Sequence, residues 1–146
     1  MAGKKARAEA GLGVLLARAN AQFSQKLLAR FADQGAREIS LAGAIVLLGV
    51  PGAGARISDL AGRAAVTKQA MGQLVRELAA QGIVEVAEDS SDRRARLVRP
   101  TQNGLALQKR LAAAEKAAED EYAAALGRKR LLKLRGWLER LVAASD

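Results

Sequence analysis

Thr67, Lys68, Gln69, Gly72, Gln73 and Arg76 recur at steps of three and four residues, a spacing that collects them on one face of a helix. The chemistry such a face can do is reading DNA. Glutamine can pair bidentately with adenine, and arginine with guanine, in the major groove. Lys68 and Thr67, with the free amides of a helix's first turn, suit phosphate. Gly72 costs a helix about 1 kcal/mol relative to alanine, which either close approach to DNA or plain tolerance can explain. Glu77 follows in the same stretch, and its charge should point away from DNA. Further on, EDSSDRRARLVRPT places Arg93, Arg94, Arg96 and Arg99 behind an acidic, serine-rich turn. Guanidinium groups at such a tip can enter a narrow minor groove, where negative potential is concentrated. Asp92 has the wrong charge for phosphate and the right one to orient Arg93, Arg94 or Arg96 through a charge-assisted hydrogen bond. The plainer readings are a solvated helix face and a solvated hairpin of mixed charge, worth little energetically. Their adjacency in the chain favours the joint DNA-contacting reading.

Both groups need elements to hold them. Met71, Leu74, Val75 and Leu78 form an apolar stripe opposite the polar face, so a helix runs from the cap Thr67 to about Gln81 and closes at Gly82. Ile83 to Ala87 reads as a strand, Asp89 to Arg94 as a loop, and Ala95 to Arg99 as a returning strand stopped by Pro100. Upstream, Leu12, Leu16, Ala19, Phe23, Leu27 and Phe31 mark an amphipathic helix over 9–33 that Gln34-Gly35 ends. Ser40 caps a buried helix, Leu41 to Val50. PGAGAR, 51–56, is a turn, and Ser58 caps a short helix, 59–64. Downstream, Thr101 caps a helix to Leu126 with its stripe at Leu107, Leu111, Ala114, Ala118, Tyr122 and Ala125. Gly127 breaks it, and a last helix carries Leu131, Leu134, Leu138 and Leu141.

This order is mainly α with a small β-hairpin: a winged helix-turn-helix between helical arms. The domains expected are an N-terminal dimerisation helix over 1–38, a DNA-binding unit over 39–104, and C-terminal dimerisation helices over 105–146. Two long arms with Leu/Ala stripes exceed what one winged helix can cover, and a second copy would cover them; the alternative packs the arms on their own domain. A two-fold homodimer would read an inverted repeat with half-sites about 10 bp apart, or a multiple of that.

The chain has 146 residues, 24 Lys+Arg against 15 Asp+Glu, and a net charge of +9. That excess favours a polyanion, double-stranded DNA before an anionic membrane surface. With no cysteine and no histidine, disulfides, Cys/His zinc sites and Ser-His-Asp or Cys-His catalysis are excluded. GVPGAGAR lacks the Lys-Ser/Thr of a phosphate loop, and no carboxylate pair suggests an enzyme. No cofactor or metal is implied, and no apolar run spans a bilayer. The lysines and short apolar run at the start are read as the beginning of a helix rather than a signal sequence. GRKRLLKLR, 127–135, is basic but reads as a solvated helix face.

The wing residues Asp92, Arg94 and Val98, followed by Thr101 and Gly104, fit D-x-R-x-x-x-V and then T-x-x-G. With the preceding ISDLAGRAAVTKQAMGQLVRELAAQGIVEV, this region resembles the MarR family of bacterial transcriptional regulators. The resemblance is specific over 57–104. It implies a cytoplasmic homodimeric winged-helix protein whose terminal helices interlock. The helix 67–81 would enter the major groove and Arg94 the minor groove. Family members commonly repress nearby genes, and many release DNA on binding a small, often phenolic, ligand between the two regions. This chain departs at Pro100, where the family has Leu, and at Gly43 and Ala44, where the family often has Gln or Glu and then an aromatic. A non-specific architectural DNA-binding protein and a winged-helix protein-interaction module remain the alternatives.

Overall fold

The computed structural model describes residues 10–33, 39–89 and 92–144, with no side-chain placement for 92–95. The residues at Gln34-Gly35, read as a helix end, lie outside the described residues. The elements are α1 (Leu12–Ala32), α2 (Leu41–Gly49), β1 (Ala55–Arg56), α3 (Ile57–Arg63), α4 (Lys68–Ala80), β2 (Val84–Asp89), β3 (Asp92–Pro100), α5 (Gln102–Leu126) and α6 (Arg128–Ala143). The sheet is antiparallel with order β1-β3-β2.

Three helices start at side-chain caps. Ser40, Thr67 and Thr101 each accept the amide of the residue three further on, Gly43, Ala70 and Gly104, at 3.1 Å. Each bond satisfies one of the amides that a helix start leaves orphaned. Ser58 does not cap α3, which begins at Ile57 after Arg56; the extended backbone of β1 leads directly into it. The far end of α2 is also closed by a side chain. Gln108 on α5 donates Nε2 to the carbonyls of Leu47 at 2.6 Å and Val50 at 2.7 Å. The Leu47 carbonyl also accepts from the Val50 amide at 3.2 Å, but losing Gln108 takes the side-chain partner from the Val50 carbonyl in a half-buried site, so Gln108→Leu should cost about 1–3 kcal/mol. Urea unfolding should show a lower midpoint with an unchanged slope; an unchanged midpoint would remove Gln108 from this role.

The core gathers Leu27 and Phe31 of α1, Ala44 and Leu47 of α2, Leu60 of α3, and Met71, Val75 and Leu78 of α4. Val98 of β3 and Leu111 and Ala114 of α5 join it. Aromatic residues make up only 3% of the chain, and alanine does much of the packing. Ala114 and Ala118 are fully buried, which lets α1 and α5 approach closely. Their contact extends through a Phe23–Tyr122 ring stack, centroids 6.0 Å apart. Glu121 reaches back from α5 to pair with Lys26 and with Arg30. Hydrogen bonds from Lys26 and then Arg30 hold the Glu121 carboxyl below its usual range.

Two differences from the sequence reading concern the sheet. The segment 51–56 is not all turn: Ala55 and Arg56 pair with Val98 and Leu97 of β3. The hairpin loop is shorter than 89–94. Asp89 belongs to β2 and β3 starts at Asp92, with an irregular register at Glu88/Asp89. Backbone ladder bonds win over the loop preference of these polar residues once a partner strand lies opposite.

Candidate nucleic-acid interface

The helix α4 buries Met71, Val75 and Leu78 against the core and leaves Thr67, Lys68, Gln69, Gln73 and Arg76 exposed. Gly72 is half-buried. A β-carbon there would meet only the Arg76 Nη1 at 3.6 Å, an ordinary contact, so helix packing does not demand glycine at this position. The turn into α4 is tight: Val66 donates its amide to Ala61, and Ala65 has a left-handed φ of 51°.

Glu77 corrects one expectation. It does not turn away from the polar face, because Gln73 donates Nε2 to its Oε1 at 3.0 Å. Arg76 in turn donates Nη2 to the Gln73 Oε1 at 2.8 Å. The i to i+4 and i to i+3 spacings that group these residues on one face also bring them into mutual reach.

The wing follows α4 almost at once. Gly82, at φ 67°, closes the helix with its amide on Ala79, and Ile83 donates to Leu78. The Thr101 amide donates to Ile83, and its hydroxyl lies 2.7 Å from the carbonyl of Gly82. This stitches the end of α4 to the start of α5, with the hairpin as the loop between. Along the hairpin, Glu85 stands opposite Arg99 and Glu88 opposite Arg96, cross-strand neighbours of opposite charge. Arg96 is exposed on β3. Asp92, Arg93 and Arg94 have backbone positions in β3, and their side chains lie outside the described residues.

Sequence reasoning missed a second acidic anchor. Asp89 is 8% exposed and accepts from Arg56 Nε at 3.3 Å and Nη2 at 2.9 Å. This pair ties β2 near the hairpin tip to β1, across the intervening strand. A buried carboxylate needs such a partner. The only sequence signal was an aspartate at a strand end, which reads equally well as loop.

Beside Gly43, where Ile39, Leu74, Glu77 and Leu78 converge, about 60 Å³ of space remains. That is well short of the ~150 Å³ cavity that admits benzene. A much larger apolar groove, about 840 Å³, runs between α1, α5 and α6 and is lined by Leu16, Phe23, Tyr122, Leu134 and Leu138. Among the described residues no group of acidic side chains could hold a metal ion, and no helix is long and apolar enough to cross a membrane.

Comparison with known proteins supports the resemblance seen in the sequence. Residues 44–95 match the sequence model of the MarR family. A MarR-family transcriptional regulator from Rhodococcus sp. RHA1 superposes with a TM-score of 0.76 at 22% identity, covering 90% of this chain and 93% of its own. A mutant MarR from E. coli complexed with operator DNA superposes with a TM-score of 0.76 at 21% identity, covering 89% and 92%. PcaV from Streptomyces coelicolor, in complex with its natural ligand, gives 0.75 at 19% identity over 100% of both chains. The fold, mostly helical with a small three-stranded antiparallel sheet, is that of these winged-helix structures. No curated protein matches the sequence.

Proposed function

We propose, from a MarR-type winged-helix fold with that family's sequence match over residues 44–95, that the protein is a dimeric, sequence-specific transcriptional repressor. The observation that carries the reading is the exposed row on α4. Five residues able to meet base edges or phosphate, Thr67, Lys68, Gln69, Gln73 and Arg76, stand opposite a stripe buried in the core. In this reading residues 39–104 bind DNA. Lys68, Thr67 and the first-turn amides take phosphate, Gln69, Gln73 and Arg76 read bases, and Gly72 permits close approach. The wing places Arg94 in the minor groove, with Arg93 and Arg96 beside it and Asp92 orienting them. The protein acts in the cytoplasm, on the chromosome.

Residues 1–38 and 105–146 pair two copies. Leu12, Leu15 and Leu16 of α1, and Leu134, Trp137, Leu138 and Leu141 of α6, are 39–66% exposed in the single chain. An apolar surface of this extent marks an interaction site. The E. coli MarR structure holds operator DNA, and the PcaV structure its natural ligand. By analogy a small-molecule effector of unknown identity is a further partner. The space beside Gly43 is too small for it, and the groove between α1, α5 and α6 is in this reading what the second copy covers.

The test is competition between a duplex selected from random sequence and an unselected one. The selected duplex should win by more than about 10³, with binding that weakens steeply as salt rises. Arg94→Ala should weaken binding. Arg76→Ala should also relax discrimination at one base pair by about 1–3 kcal/mol. A preference below about tenfold would favour an architectural protein binding through its +9 charge. Absence of salt-dependent DNA binding would point to a protein-interaction module.

A further inference from the structure

We infer that Glu77 is a positioning residue for base recognition, setting the sense in which Gln73 presents its amide to DNA. The inference rests on the DNA-binding reading above and adds to it a residue whose own charge is unsuited to DNA.

The amide of Gln73 lies between a cation and an anion on one exposed helix face. Its Oε1 accepts from Arg76 Nη2 at 2.8 Å, and its Nε2 donates to Glu77 Oε1 at 3.0 Å. Turning the amide over would set donor against donor at Arg76 and acceptor against acceptor at Glu77. Arginine has only donors and an ionised carboxylate only acceptors, so both contacts would become repulsive. The pair therefore fixes which end of the amide is oxygen and which is nitrogen.

What remains free on the amide is what base reading needs. One lone pair of Oε1 and one hydrogen of Nε2 are still unused. These complement the amino group and N7 of adenine in the major groove. An amide locked in one sense meets adenine in one orientation; an unlocked one can offer donor and acceptor the other way round. Glu77 thus contributes to selectivity while its negative charge, near phosphates, lowers affinity for every duplex. The trade is a difference of affinities between sequences.

These two effects separate by substitution. Glu77→Gln removes the charge and keeps a carbonyl acceptor at the same reach. Glu77→Ala removes both. Duplexes should be selected from a random pool by the wild-type protein. Single-position variants of the selected site are then competed against wild type, Glu77→Ala and Glu77→Gln. Both substitutions should tighten binding to all duplexes alike, by charge alone, which leaves ratios between sequences unchanged. At one A·T position in each half-site, Glu77→Ala should lose about tenfold of the preference over the three other base pairs. Glu77→Gln should restore most of that preference. Thermal melting of each variant checks that α4 remains folded. Equal base preferences in all three proteins would overturn the role of Glu77 and leave the DNA-binding reading intact. An equal loss in Glu77→Gln and Glu77→Ala would also overturn it, since charge rather than an acceptor would then be what counts. Failure of the wild-type protein to enrich any sequence would overturn both.

Discussion

Gly104→Ala is expected to destabilise the protein by about 2–4 kcal/mol, lowering its melting temperature by about 10 °C. A β-carbon at this position would stand 2.0 Å from the carbonyl oxygen of Ile83 and 3.3 Å from Cβ of Pro100. The first obstacle is backbone, so no rotamer change relieves it; α5 must move. Thr101 cannot follow without loss. Its amide is on Ile83 at 3.0 Å, and its hydroxyl serves the Gly82 carbonyl and the Gly104 amide together. Helix propensity works the other way, since alanine in a helix gains about 1 kcal/mol over glycine, and the clash is expected to exceed that gain. Gly62→Ala is the control: it lies in α3 with nothing within 4 Å of the added carbon. That variant should be as stable as the parent or up to about 1 kcal/mol more stable. Calorimetry of the two variants separates steric conflict from propensity. Equal melting temperatures would show that the T-x-x-G spacing has no packing basis here. The same displacement of α5 should move the hairpin base, so DNA binding should fall with stability.

The second large effect concerns assembly. Leu134→Glu with Leu138→Glu on α6 should convert a dimer to a monomer and reduce affinity for a full inverted repeat by about 10² or more, as bivalent engagement is lost. Both leucines are 39% exposed in the single chain and line the apolar groove between α1, α5 and α6. Much of each side chain is already covered in the single chain, so a melting curve of the double variant must show that the monomer still folds. Carboxylates buried across a two-fold interface would be desolvated without partners, a cost of several kcal/mol per copy. Sedimentation equilibrium reads the mass, and titration with full-site and half-site duplexes reads the affinity. Half-site binding should change little. A double variant that remains dimeric, or that keeps full-site affinity as a monomer, would place the dimer contact elsewhere.

Most of the helical frame was legible because its signals are local. Ser40, Thr67 and Thr101 are hydroxyl residues ahead of apolar periodic stretches, and each caps the helix expected of it. The stripe Met71, Val75, Leu78 is buried as its spacing requires. Features that depend on a distant partner were hidden. β1 is two residues long and exists as strand only because Val98 and Leu97 lie opposite. Asp89 is a loop former by type, yet it is buried against Arg56, thirty-three positions earlier. The terminal helices show a third kind of gap. The period of α1 is uniform from Leu12 to Phe31, but Leu27 and Phe31 are buried while Leu12 and Leu16 stay exposed. Periodicity tells which face is apolar and not what covers it. Glu77 was within reach of inference, since its i to i+4 relation to Gln73 stands in the sequence, but its charge argued for the opposite direction.

In the proposed repressor, α4 and the wing of two paired copies read DNA together. This is tested most directly by exposing the wild-type protein to a pool of random duplexes at physiological salt and sequencing what it retains. The retained duplexes should be enriched in an inverted repeat whose half-site centres lie about 10 bp apart, or a multiple of that, with an A·T-rich stretch beside each half-site. Recovery of an unenriched pool, or of a single asymmetric site bound by one copy, would contradict it.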